Sequence, residues 1–147
     1  MGFMKNVFLL QHKKEVEIEP KTGEVIYNTK LVGFLSTEEL CKNTILFYQQ
    51  KPGFKDYPQD FVMEKVEADV DDFNHIPGEF DQYVYFLTHE YYDGEYDNIT
   101  NIGYYSTHQM AEEAEHRYRL KAEYSEYPNG FCISKYKIDQ THWCFGF

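Results

Sequence analysis

Basic charge is in short supply in this sequence. Only 14 Lys and Arg stand against 25 Asp and Glu, a net charge of −11. The deficit is spread along the chain: residues 1–80 hold 9 basic and 14 acidic side chains, and residues 81–147 hold 5 and 11. Such a field repels phosphate backbones and argues against nucleic acid as a direct ligand. It attracts cations and basic proteins and raises their association rate. Cysteine is also scarce. Cys41, Cys132 and Cys144 are an odd set without metal-ligand spacing, expected as small buried apolar side chains in a reducing cytosol. No apolar run is long enough to span a bilayer, and the start, Met-Gly-Phe-Met-Lys-Asn, shows no secretory signal. Position 6 is Asn, where N-myristoylation wants Ser or Thr. The expectation is a soluble, cytoplasmic chain with no membrane partner. There is no Gly-rich phosphate loop and no low-complexity segment.

What the sequence does have is aromatic side chains and a repeat. Phe, Tyr and Trp make up 18% of the chain, which supplies large buried area per residue and argues against disorder. Val7-Phe8-Leu9-Leu10-Gln11-His12 returns as Val84-Tyr85-Phe86-Leu87-Thr88-His89. Gly33-Phe34-Leu35-Ser36-Thr37 returns as Gly103-Tyr104-Tyr105-Ser106-Thr107, and Tyr57-Pro58-Gln59-Asp60-Phe61 as Tyr127-Pro128-Asn129-Gly130-Phe131. Asp69 and Phe73 return as Asp139 and Trp143. The offset is 70 from Gly33 onward and 77 at the first strand, so the first copy carries seven extra residues between His12 and Gly33. A unit of about 70 residues has a marginal core by itself. The copies, residues 1–80 and 81–147, are therefore expected to share a core or pack tightly.

Each copy reads strand, strand, helix, strand. Val7–His12 and Val84–His89 are apolar runs of strand length. Glu15–Glu19 alternates strictly, Pro20-Lys21-Thr22-Gly23 turns, and Val25–Leu35 returns; the second hairpin turns near Asp93-Gly94. Ser36 and Ser106 read as N-cap residues, with Glu39 and Gln109 three positions on as capping boxes. Leu40, Ile45, Tyr48, Met110, Ala114 and Tyr118 are expected in the core. The strand with Phe61, Val62, Met63 and Val66 is expected to be buried on both sides. Pro52-Gly53 ends the first helix, and Pro77-Gly78 marks a turn in the segment joining the copies. The fold class is α+β: two pseudo-symmetric ββαβ repeats, each with antiparallel sheet and one helix.

No motif specifies a reaction. His12 and His89 occupy the same place in the two copies, yet lack carboxylate or thiolate companions at metal-ligand spacing. An imidazole bonded to backbone at a strand end accounts for both. His108 and His116 are too far apart for one metal ion, and His142 beside Trp143 reads as packing. Asp69, Asp71, Asp72 and Asp139 suggest paired carboxylates, but nothing in the sequence shows the burial that acid–base work needs, and a solvated turn after a strand accounts for them. The Asp93–Asn98 run mimics part of a calcium loop without its closing Glu, since residue 104 is Tyr. The capping role explains Ser36 and Ser106 without nucleophilic chemistry. Neither cofactor nor metal is expected.

The pattern V-x-x-L-x-H, G-[FY]-x-S-T, P-G-F-x-D-Y-P-x-x-F and H-W-x-x-G-F resembles a small bacterial domain of unknown function found in short stand-alone proteins. It is carried by Pro52-Gly53-Phe54-Lys55-Asp56-Tyr57-Pro58 in the first copy and His142-Trp143-Cys144-Phe145-Gly146-Phe147 in the second. The first copy departs from it with Asp72-Phe73-Asn74 in place of His-Trp-Thr, and the second has lost the Pro-Gly after its helix. The resemblance implies one domain per copy and no catalytic residue. Small acidic proteins of this kind resemble, as a class, the immunity proteins of bacterial toxin systems.

The second copy holds eleven of the fourteen tyrosines. Around its hairpin tip, Tyr91, Tyr92, Asp93, Glu95, Tyr96 and Asp97 interleave rings with acids. Tyr gives broad contact area at low entropy cost, and acids steer a basic partner. Cross-strand Tyr pairs in a small sheet would use the same residues. The functional expectation is a non-enzymatic acidic protein that neutralises a basic protein, such as a toxin domain, through these six residues. The alternatives are a structural module that forms a homo-oligomer through its Tyr face, and a small enzyme built on His12 and His89 or on Asp69, Asp71 and Asp72.

Overall fold

The computed structural model describes residues 3–141, apart from the side chains of Glu17 and Ile26. His142, Trp143 and Cys144, singled out above, lie outside the described residues. The element order is β1 (Asn6–Ile18), β2 (Val25–Leu35), α1 (Glu38–Tyr48), β3 (Phe61–Glu67), β4 (Tyr83–Tyr92), β5 (Asp97–Tyr105), α2 (His108–Arg119) and β6 (Phe131–Lys137). Two antiparallel three-stranded sheets result, β2-β1-β3 and β5-β4-β6. The fold is α+β, with ββαβ order in each half. Among the described residues, no helix is long and apolar enough to cross a membrane.

The apolar runs that open each copy become the central strands, which is why Leu10 and Leu87 are fully buried. Both central strands carry the same irregularity: register slips between Leu10 and Gln11 opposite Gly33, and between Leu87 and Thr88 opposite Gly103. The seven extra residues of the first copy lengthen its hairpin, so β1 and β2 run to 13 and 11 residues against 10 and 9 for β4 and β5. In the first-repeat unit, Cys41, Tyr48 and Phe54 pack with Leu10, Val32 and Leu35, and Ile45 lies against them. In the second-repeat unit, Ala111 and Ala114 of α2 pack on Leu87 and Tyr105, with Met110 alongside.

Four expectations are corrected. Ser36 and Ser106 are not the N-caps: Thr37 and Thr107 are, their hydroxyls each accepting from Leu40 N or Met110 N at 3.1 Å. The serines stand one residue earlier and bond to aspartates, so the Glu and Gln capping boxes do not form. Leu40 is exposed, because the core stripe of α1 runs through Cys41, Ile45 and Tyr48 and leaves Leu40 one position round the helix. Strand β3 is not buried on both sides. It is a sheet edge, and Val62 and Met63 face solvent. Cys41 is buried as expected, but Cys132 is exposed on the edge strand β6.

The chain forms two compact units that differ from the sequence repeats. Among the described residues, one comprises Val66–Ile138 with residues 3–6; the other comprises Val7–Lys65 with residues 139–141. The segment after each closing strand therefore belongs with the other repeat's helix. Asp69 and Asp139 both adopt left-handed backbone, φ 65° and 66°, which Asp tolerates better than most residues. The Asp69 carboxylate accepts Ser106 N at 2.8 Å and Ser106 Oγ at 2.7 Å, and its N–H donates to Tyr104 O. Asp139 repeats the arrangement on Ser36 N and Oγ, both at 2.8 Å, with its N–H on Phe34 O. Next to Asp139 the tail passes so close to β2 that a Cβ at Gly33 would lie 2.8 Å from the Gln140 carbonyl oxygen.

Candidate functional site

The second-repeat unit carries a groove whose walls are set by β4 and the loop after α2. His89 lies within β4, not at its end, and is buried; its Nε2–H donates to the Tyr127 carbonyl at 2.8 Å. The next residue, Glu90, donates its backbone N–H to Gly130 O at 2.9 Å. These two bonds hold the loop flat against the strand, and a Cβ at Gly130 would collide with the Glu90 carbonyl oxygen. Tyr127 is thereby laid on Tyr91, with ring centroids 4.2 Å apart and planes 14° from parallel. The groove beside this stack has a volume of about 320 Å³ and is lined by Glu90, Tyr91, Tyr92, Glu126, Tyr127, Pro128, Asn129 and Gly130. Among the described residues, neither the Glu90 nor the Glu126 carboxylate has an ion-pair or hydrogen-bond partner, and no basic side chain lines the groove.

The six sequence-selected residues separate here. Tyr91 and Tyr92 line the groove, and Tyr92 is 63% exposed with its hydroxyl donating to Gly94 O. Asp93 closes the hairpin turn instead, accepting from Glu95 N, Tyr96 N and Asn98 Nδ2 at 2.8–3.0 Å. The Tyr96 and Asn98 donors, with Glu95 N–H, hold its carboxyl below the usual carboxylate range. Glu95, Tyr96 and Asp97 are exposed around the tip and do not line the groove. The sequence reading missed Glu126, Tyr127, Pro128, Asn129 and Gly130. The available signal was the repeat itself, since Tyr127-Pro128 is the echo of Tyr57-Pro58.

The other candidates have structural partners. His12 mirrors His89, donating Nε2–H to Tyr57 O at 2.9 Å between the rings of Phe54 and Phe61. Asp69 holds Ser106. Asp71 accepts from Phe73 N, Asn74 N and, at 2.5 Å, the Tyr105 hydroxyl. Burial, with that carboxylate beside it, pushes the Tyr105 phenol far above its ordinary value. Asp72 bonds Lys121 Nζ at 2.7 Å, which lowers its own pKa and raises that of the lysine. The three carboxylates thus serve three separate partner sets. Among the described residues, no three His, Cys, Asp or Glu side chains converge as metal ligands. A second recess of about 560 Å³ lies by Tyr83 and Tyr85, with Glu79 and Asp81 in its lining.

Comparison with known protein families, curated proteins and solved structures returns no match for this chain.

Proposed function

We propose that this is an acidic binding protein that neutralises a basic protein partner in the cytoplasm, as an immunity protein does a toxin, without chemistry of its own. The observation that carries this reading is the groove of the second repeat: an exposed Tyr92 ring and the half-buried Tyr91–Tyr127 stack beside two carboxylates that have no partner among the described residues, on a chain of net charge −11. Aromatic anchors with acidic flanks are what a basic surface requires for contact area and for steering. The engagement of His12, His89, Asp69, Asp71 and Asp72 in bonds that hold loops and helix starts further supports a non-enzymatic role. The test is capture of partners from the native lysate, followed by titration at several salt concentrations. Affinity should fall as ionic strength rises, and Tyr92→Ala or Asp97→Lys should weaken it roughly tenfold or more. A partner bound with no salt dependence and indifferent to both variants would overturn the reading, as would a stable homo-oligomer with no partner.

A structural module that self-associates is the second reading. It is favoured by the long first hairpin, where Val16, Ile18, Val25 and Tyr27 are all exposed. Sedimentation of the purified chain separates the two readings, since this one requires a homo-oligomer that Ile18→Lys dissociates.

A further inference from the structure

The seven residues that the first repeat adds to its hairpin build a strand edge that the second repeat lacks. β2 is the edge strand of its sheet, paired on one side with β1. At Gly33 its outer side is bridged by Thr141. Farther along, one bond sets the direction of the backbone groups. Glu24 O accepts Glu19 N–H at 2.8 Å, so Glu24 turns toward β1. Successive residues of a strand turn their backbone groups to opposite sides. Val25, Tyr27 and Thr29 therefore point N–H and C=O away from β1. Among the described residues, none of these groups has a hydrogen-bond partner. The stretch Val25–Leu31 also lacks proline and glycine, and the register slip beside it adds a residue to β1, not to β2. Proline and a bulge are devices that close a free edge. Val25 and Tyr27 are exposed on one face of it, with exposed Ile18 paired to Val25.

The occupant is given by charge. From Glu24 to Leu31 the charged residues are Glu24 and Lys30, opposite in sign and equally far from Tyr27. Several antiparallel registers would bring the outward groups of two such strands together. Centring on Tyr27 is the register that sets Glu24 opposite Lys30, and a two-fold axis does so twice. Tyr27 then faces its own copy and Val25 faces Thr29, three pairs that each exchange two hydrogen bonds. The Glu24–Lys30 pairs fall at the flanking non-hydrogen-bonded positions, where side chains approach closest. The contact ends before Gly33, which Thr141 already covers. The second repeat has no such register: Asp97 stands where the first has Tyr27, β5 begins there, and Asp97 would face a like charge. We infer that the β2 edge is the contact of a symmetric homodimer, in which two copies of this chain pair antiparallel about Tyr27 and join their sheets. This goes beyond the neutralising function. It deepens the self-associating reading and rests on it for the existence of a homo-oligomer, but not for the strand or the register.

The test sediments the full chain over a range of concentrations. A dimer should form at about 10–100 µM, as suits a contact below the standard interface size. Thr29→Pro removes an outward N–H and leaves the β1 side of the strand untouched, so it should weaken the dimer roughly tenfold or more. Glu24→Lys and Lys30→Glu, each of which sets like charges opposite, should weaken it roughly tenfold. An equimolar mixture of those two variants should associate as tightly as the parent, because each chain then meets the opposite charge. Unchanged circular dichroism shows that the variants are folded. Register is read by cross-linking with Cys132 and Cys144 replaced by Ser. A hydrogen-bonded pair holds its Cα atoms about 5.5 Å apart, within disulfide range. Oxidised glutathione should therefore cross-link Tyr27→Cys to its copy and spare Asn28→Cys, which does not face its copy. A parent chain that is monomeric at about 1 mM would overturn the dimer. So would a mixture no tighter than either variant alone, or equal cross-linking at both positions. A homo-oligomer that Ile18→Lys dissociates and Thr29→Pro does not would sink this contact and leave self-association standing. A partner captured by a monomeric chain would sink the dimer and leave the neutralising function standing.

Discussion

Asp69→Ala and Asp139→Ala make the same change at two sites of matched geometry and unequal burial. Each aspartate accepts two hydrogen bonds of 2.7–2.8 Å from a serine N–H and hydroxyl. Each holds left-handed backbone. A hydrogen bond to a charged group contributes about 1.5–3 kcal/mol, and holding alanine at positive φ costs about 1–2 kcal/mol. Asp69 is only 6% exposed, so its loss leaves donors that water replaces poorly, and Asp69→Ala should cost about 3–5 kcal/mol. Asp139 is exposed; water competes for the same bonds, and Asp139→Ala should cost about 1–3 kcal/mol. Asp69→Gly removes the bonds without the φ penalty and should recover about 1 kcal/mol relative to Asp69→Ala. Urea unfolding followed by circular dichroism reads all three variants against the parent. For a chain of this length, about 2–4 °C of melting temperature accompanies each kcal/mol, so Asp69→Ala should melt about 6–20 °C lower. An Asp139→Ala cost equal to or above that of Asp69→Ala would refute burial as the deciding factor. An Asp69→Gly variant less stable than Asp69→Ala would refute the backbone argument.

Two further predictions rest on the cores. Leu10→Ala and Leu87→Ala should each cost about 2–5 kcal/mol, since both side chains are fully buried on central strands; urea midpoint shifts worth less than about 1 kcal/mol would mean the cores are misassigned. Burial, reinforced by the Asp139 and Glu38 carboxylates, pushes the Cys41 thiol from 9.0 to about 11. In a Cys144→Ser background at pH 8, iodoacetamide should therefore label exposed Cys132 and spare Cys41. Because the folded state favours the neutral thiol, its contribution to stability is full below pH 9 and is lost as pH rises through about 11. Labelling of Cys41 before Cys132 would contradict this.

Strand and helix order, the central place of the Val7 and Val84 strands and the burial of Leu10 and Leu87 were legible in the sequence. Apolar run length, turn residues and helix-start signals act over a few neighbours, and the repeat stated each of them twice. Leu40 went astray because it lies a single position from the stripe of Cys41, Ile45 and Tyr48, and helical periodicity alone leaves that rotation open. The N-caps went astray because Ser36-Thr37 and Ser106-Thr107 offer two adjacent hydroxyls. Which of them caps is decided by an aspartate 103 or 37 residues away. The same holds for the groove: Glu126 and Tyr127 are far in sequence from Glu90 and Tyr91, and meet because His89 and Glu90 bond the loop to the strand. Only the tertiary structure could decide which helix each closing segment joins. The residues after β3 and β6 carry matching aspartates, and either serine offers the same two donors, so local chemistry is identical for both choices. The selection of one comes from where the rest of the chain packs.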